Sequence, residues 1–266
     1  MNAHRPHRGF SLMEVLVVIG IIGLLMAILL PTMERVRHQG YIANCASNLR
    51  QIGQAISMYT NENHGEYPRT TYVPGAAIAK GTGITSANPF GAGGPSPNDV
   101  TANVYLLIRT QKLPPVMVMC PYNDVNEFEP DNSDPLTHSN FANYKKNLGY
   151  SFANPYPDPS AAQVGYRLSN KLGAEFAVAA DLNPGKNGTR DDVTAPVATS
   201  SWSDQKKALS ENHEKDGENV LYGDGHVQWQ HTSFCGLRQD NIYTTKSNQI
   251  EASPIDKEDS VLLPTD

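Results

Sequence analysis

Three groups of residues in this 266-residue chain have types and spacings that bear on chemistry. The first is His213, Asp224, His226 and His231, which offer imidazole and carboxylate donors to a transition metal. In a strand, Asp224 and His226 fall on one face, so a ligand pair is geometrically available. A plainer reading competes with it. Asp224-Gly225 is turn chemistry without any metal, and His213 serves to hydrogen-bond a loop. The second group is Asp181, Asn183, Asp191 and Asp192, hard oxygen donors suited to structural calcium. Their spacing is not that of an EF-hand, and Asp181-Leu182-Asn183-Pro184-Gly185 also reads as a turn. The third is the lone acid Glu14, which stands at the mouth of a long apolar run. Three cysteines, Cys45, Cys120 and Cys235, permit at most one internal bridge; Cys120–Cys235 and free buried thiols are both open. The chain has no G-x-S-x-G, H-E-x-x-H, Walker A or dinucleotide-binding loop, so no enzyme class is indicated.

The element that positions Glu14 dominates the first quarter of the chain. Val15 to Met33 are 19 consecutive uncharged residues. As a helix they span roughly 30 Å, the thickness of a bilayer core. The run is apolar all round, whereas a core helix shows a polar stripe. Arg5 and Arg8 precede it with no acid among residues 1–9, which favours a cytoplasmic N-terminus and an exported remainder. A secretory signal peptide has a shorter apolar core and a small-residue cleavage site after it. A plain signal anchor explains length and orientation but not Glu14. A carboxylate in that position costs on the order of 2.5–3.5 kcal/mol, so it requires a partner.

The residues Arg8-Gly9-Phe10-Ser11-Leu12-Met13-Glu14, with the apolar run behind them, resemble the N-terminus of type IV prepilins and type II secretion pseudopilins. The resemblance implies cleavage between Gly9 and Phe10 by a prepilin peptidase, which also methylates the new amine of Phe10. It implies that Glu14, then the fifth residue, serves assembly, and that Pro31 is the twenty-second. The stretch Cys45-Ala46-Ser47-Asn48-Leu49-Arg50-Gln51-Ile52-Gly53 and the later His213…Asp224-Gly225 are similar to pseudopilin-like proteins with a C-terminal His…Asp-Gly signature. That family usually has nine residues between the His and the Asp-Gly pair; here there are ten. The partners implied are the peptidase/methyltransferase, other pilin or pseudopilin subunits, and an inner-membrane assembly platform. No cofactor is implied beyond the possible structural calcium.

Composition agrees with a non-nucleic-acid role. The formal net charge is −6, and loss of residues 1–9 with their two arginines makes it −8. A nucleic-acid binder needs a basic face. Gly and Pro, 21 and 19 residues, predict abundant turns.

The expected class is α+β, pilin-like: one long N-terminal helix packed on a small antiparallel sheet with long loops. Residues 1–9 are the leader and 10–33 the membrane helix. Residues 34–64 continue it as an amphipathic helix, with Leu49, Ile52, Ile56 and Tyr59 as its core stripe. Residues 65–231 form a periplasmic globular domain, and 232–266 a loose polar tail. Residues 74–98, with six Gly and four Pro, read as a disordered surface insertion. Val104–Leu107 begins a short helix or strand. Val116–Met119, Leu148–Phe152, Phe176–Ala180, Asn219–Tyr222 and His226–Trp229 are predicted strands. The last two form a hairpin around Gly223-Asp224-Gly225. The function expected is that of a structural filament subunit in the inner membrane. The alternative is a membrane-anchored periplasmic binding or enzymatic domain that uses the prepilin segment only for export.

Overall fold

The computed structural model describes residues 11–122, 134–185 and 197–265. The chain divides into two compact units, Met1–Tyr41 and Ile42–Asp266. Helix α1 runs Leu12–Glu62 and supplies both.

In the first unit none of the described side chains of the helix is buried. Leu12, Leu16, Ile19, Leu24, Ile28 and Leu30 are all more than half exposed. Among the described residues α1 is the one helix long and apolar enough to cross a membrane. A surface of this kind is stable only against lipid or other apolar helices.

In the second unit the same helix becomes one-sided. Cys45, Leu49, Ile52, Ala55, Ile56 and Tyr59 are buried, at spacings of three and four. Asn63 closes the last turn by donating to the Tyr59 carbonyl at 2.8 Å, and Gly65 leaves with φ +84°. Gly53 lets the helix approach the sheet. A Cβ there would stand 3.0 Å from Leu221 Cδ1.

The sheet has five strands: β1 (Tyr150–Ala153), β2 (Ala177–Asp181), β3 (Glu218–Tyr222), β4 (Val227–Gln230) and β5 (Leu262–Leu263). Their order is β4-β3-β2-β1-β5, with every neighbouring pair antiparallel. The expected α+β class is what the chain forms. The β3–β4 hairpin pairs Glu218 with Gln230 through Leu221 with Val227 in unbroken register. The residues of β1, β2 and β3 are all buried, the polar Ser151, Asp181, Glu218 and Asn219 among them, so both faces of these strands are covered.

Helix α2 (Ala102–Gln111) resolves the Val104–Leu107 ambiguity in favour of a helix. Its start is fixed by Asp99. That buried carboxylate accepts from the backbone of Thr101 at 2.9 Å and of Ala102 at 3.0 Å, satisfying donors no helical carbonyl reaches.

Three expectations are corrected. Val116–Met119 is not a strand; Pro115–Val118 is a 3-10 turn, because Pro115 at its start fixes φ and removes a ladder donor. Residues 74–98 are not a disordered insertion. Asn98 accepts from Val73 N at 3.0 Å and donates to the carbonyls of Val73 and Ala76, while Asp99 holds Thr82. Residues 232–266 are not a loose tail. Ile242, Tyr243 and Leu262 join the main core and β5 pairs with β1. The few apolar residues in that polar stretch sit where burial is needed, which composition averages hide.

Candidate functional site

Gly9 and Phe10 lie outside the described residues. Glu14 occupies the first turn of α1. Its Oε2 accepts the backbone N–H of Ser11 at 2.8 Å, and Ser11 Oγ accepts from Met13 N at 3.3 Å. Ser-x-x-Glu is the capping-box spacing, so the acid holds open backbone donors at the helix head. Around it the apolar side chains of α1 are exposed. One acid, one helix start and an unburied apolar rod therefore meet at the head of α1.

The C-terminal signature does not gather at one place. His213 ends the 3-10 turn Glu211–His213 and is wholly buried. Its ring packs edge-on to Trp229 at 5.4 Å, and Nε2 lies 3.3 Å from Asp181 Oδ2. Asp224 and Gly225 instead form the exposed β3–β4 turn, with Gly225 at φ +88°. Asp224 Oδ1 accepts from His226 N at 3.0 Å and meets His226 Nδ1 at 2.5 Å. The His226 backbone N–H, then its ring, hold the Asp224 carboxyl below the usual carboxylate range. His226 stacks on Tyr222 at 4.6 Å. His231 Nδ1 lies 3.0 Å from the Asp216 carbonyl oxygen. Thus Asp224 and His226 do pair, but through the turn between β3 and β4 rather than on one face of a strand, and His213 and His231 are engaged elsewhere.

The calcium candidates are likewise committed to structure. Asp181 ends β2, wholly buried, and its Oδ2 accepts from Asn219 N at 2.7 Å. Asn183 is buried too. Its Nδ2 donates to the carbonyls of Tyr243 and Leu262 at 3.2 and 2.8 Å, and its Oδ1 accepts from Gly185 N at 2.9 Å. Asp191 and Asp192 lie outside the described residues.

Cys120 has Cys45 as its neighbour, with the two Sγ atoms 3.2 Å apart and both thiols free. This replaces the Cys120–Cys235 pairing; Cys235 lies instead beside Tyr222, whose hydroxyl donates to the Cys235 carbonyl at 3.2 Å. The Cys120 thiol and burial push the Cys45 thiol far above the ordinary range. Burial also raises Glu218 to about 8. This polar interior, built of Cys45, Cys120, Asp181, His213 and Glu218, has no local sequence signal. Only residue type hinted at it.

Residues 4–30 match the family model for the prokaryotic N-terminal methylation motif. The chain is 34% identical over 70 residues to the type II secretion system core protein G of Escherichia coli (strain K12), covering 26% of this chain and 48% of that protein. It is 32% identical over 79 residues to the protein of the same description from Pseudomonas aeruginosa (strain PAO1), covering 30% and 55%. The chain spans about half the length of the curated relatives it matches. No solved structure matches it. The long helix, the antiparallel sheet and the matched motif define a protein of pilin-like organisation with a prepilin-type N-terminus.

Proposed function

We propose that this chain is a structural subunit of a type II secretion pseudopilus or a type IV pilus-like filament. Its leader is removed after Gly9, Phe10 is N-methylated, and the globular unit faces the periplasm. The observation that carries the reading is Glu14 at the head of an exposed apolar helix inside a matched methylation motif. Cleavage would create a cationic amine at Phe10. In a stack of staggered subunits, that amine neutralises Glu14 of a neighbour, and an unpaired carboxylate in an apolar bundle is costly. The exposed faces of α1 then bury one another in the filament core.

Its partners are the prepilin peptidase/methyltransferase, further pilin or pseudopilin subunits and an inner-membrane assembly platform. The role is structural rather than catalytic. The test is mass spectrometry of native material together with shearing and pelleting of filaments. An N-methylated Phe10 terminus and recovery of the chain in the pelleted filament fraction support the proposal. A monomeric, membrane-bound chain retaining residues 1–9 overturns it.

A further inference from the structure

Three soft or borderline donors, distant in sequence, converge inside the Ile42–Asp266 unit. They are Sγ of Cys45 on α1, Sγ of Cys120 just after the Pro115–Val118 turn, and an imidazole nitrogen of His213 ahead of β3. All three lie within 4.8 Å of one another and all three residues are buried. Asp181 stands against this group, its Oδ2 3.3 Å from His213 Nε2. Its Oδ1 is buried and accepts no hydrogen bond from the described residues.

We propose that Cys45, Cys120 and His213 form a structural binding site for a thiophilic divalent transition metal, zinc foremost, with Asp181 as its partner carboxylate. Two thiolates and an imidazole are the donor set zinc selects, and one that magnesium and calcium refuse. Donors on a tetrahedral zinc stand roughly 3.3–3.8 Å apart, given bonds of about 2.0–2.3 Å. The Cys45–Cys120 separation of 3.2 Å is well beyond the ~2.05 Å of a disulfide; two sulfurs at about 2.3 Å from zinc stand ~3.8 Å apart, so the thiols would part by roughly half an ångström on binding. A carboxylate on the other nitrogen of a ligating imidazole is the usual outer support of such a site, and Asp181 takes that place beside His213 Nε2. The scaffold is fixed around it. Asn48, one turn beyond Cys45, donates to the Met119 carbonyl at 3.3 Å and to the Tyr150 hydroxyl at 3.2 Å. On binding, the protons of both thiols and any proton on the ligating imidazole nitrogen are released to solvent, and the sulfurs bind as thiolates. The ion would tie α1 to the segment after the Pro115–Val118 turn and to the approach to β3, three parts of the core with no covalent cross-link.

The experiment uses the untagged full chain in detergent, purified under reductant without chelator. Zinc is counted by elemental mass spectrometry after gel filtration, and the protein is then reloaded with cobalt(II). The expected result is one zinc per chain. Cobalt should give the intense visible bands of a tetrahedral site with thiolate charge transfer. C45S and C120S each lose bound zinc, C235S keeps it, and D181N weakens affinity about 10–100-fold. If the serine variants fail to fold, the cobalt spectrum of the unaltered chain decides. Three results overturn the proposal: zinc no higher than in a buffer control, a pale octahedral cobalt spectrum, or a Cys45–Cys120 disulfide in native material by non-reducing peptide mapping.

Discussion

The carboxylate of Glu14 and the backbone N–H of Ser11 are hydrogen-bonded at 2.8 Å. The acid therefore has a local task, capping its own helix, besides any task between subunits. A capping acid works by accepting hydrogen bonds, and a glutamine at the same place retains an acceptor oxygen. Charge neutralisation needs the negative charge itself. Glu14→Gln separates the two. Cleavage after Gly9 should persist in E14Q, while incorporation into filaments falls as far as in E14V. Immunoblots of sheared filaments against total membranes measure both. Normal incorporation of E14Q would reduce Glu14 to a cap.

Gly149 lies against the backbone of Cys120, its N–H donating to the Val118 carbonyl at 2.8 Å. A Cβ at this position would collide with Cys120 N, which cannot move away as a flexible side chain would. Gly149→Ala should destabilise the fold by about 1–3 kcal/mol, the usual range for overpacking a filled interior. Denaturant unfolding of the full chain checks it. An unchanged midpoint would mean that the strand start yields freely.

The C-terminal segment carries two buried leucines in β5, and Ser151 Oγ donates to the Pro264 carbonyl at 2.6 Å. Deleting residues 261–266 should cost several kcal/mol, since each leucine contributes about 1.5–3 kcal/mol on burial. The edge of β1 would also lose its partner. The deleted chain should be rapidly degraded, and limited proteolysis should cut it throughout the second unit. A protein as protease-resistant as the intact one would restore the reading of a loose tail.

Stability should fall with rising pH through Asp240. Burial lifts its carboxyl from 3.8 to about 7, with nearby Asp259 adding to the rise. The folded chain thus keeps a proton that the unfolded chain gives up near pH 4. As pH climbs from about 4 to 7 the unfolded state gains by ionising first, and stability declines across that window. Burial raises Asp259 in the same sense, to about 6. Asp240→Asn should flatten the decline above pH 5 while retaining an acceptor for Ser260 N, which Asp240 Oδ2 now receives at 2.9 Å. Thermal melts across pH 4–8 measure the slope. An equal slope in D240N would remove the assignment.

What could be read along the chain was whatever rests on local pattern. The apolar run behind Glu14 fixes a helix because its period and length leave no polar face. The stripe Leu49, Ile52, Ile56, Tyr59 marks the side that packs. Asp224-Gly225 marks a hairpin because only such residues turn there without strain. The tertiary structure alone decided which distant residues meet. Nothing near Cys45 announces Cys120, 75 positions away, nor His213 beside them, and no local pattern tells Leu262 that it will pair with Ala153. Those choices follow from the strand order β4-β3-β2-β1-β5, in which, outside the β3–β4 hairpin, burial and unpaired backbone groups are satisfied by segments far along the chain.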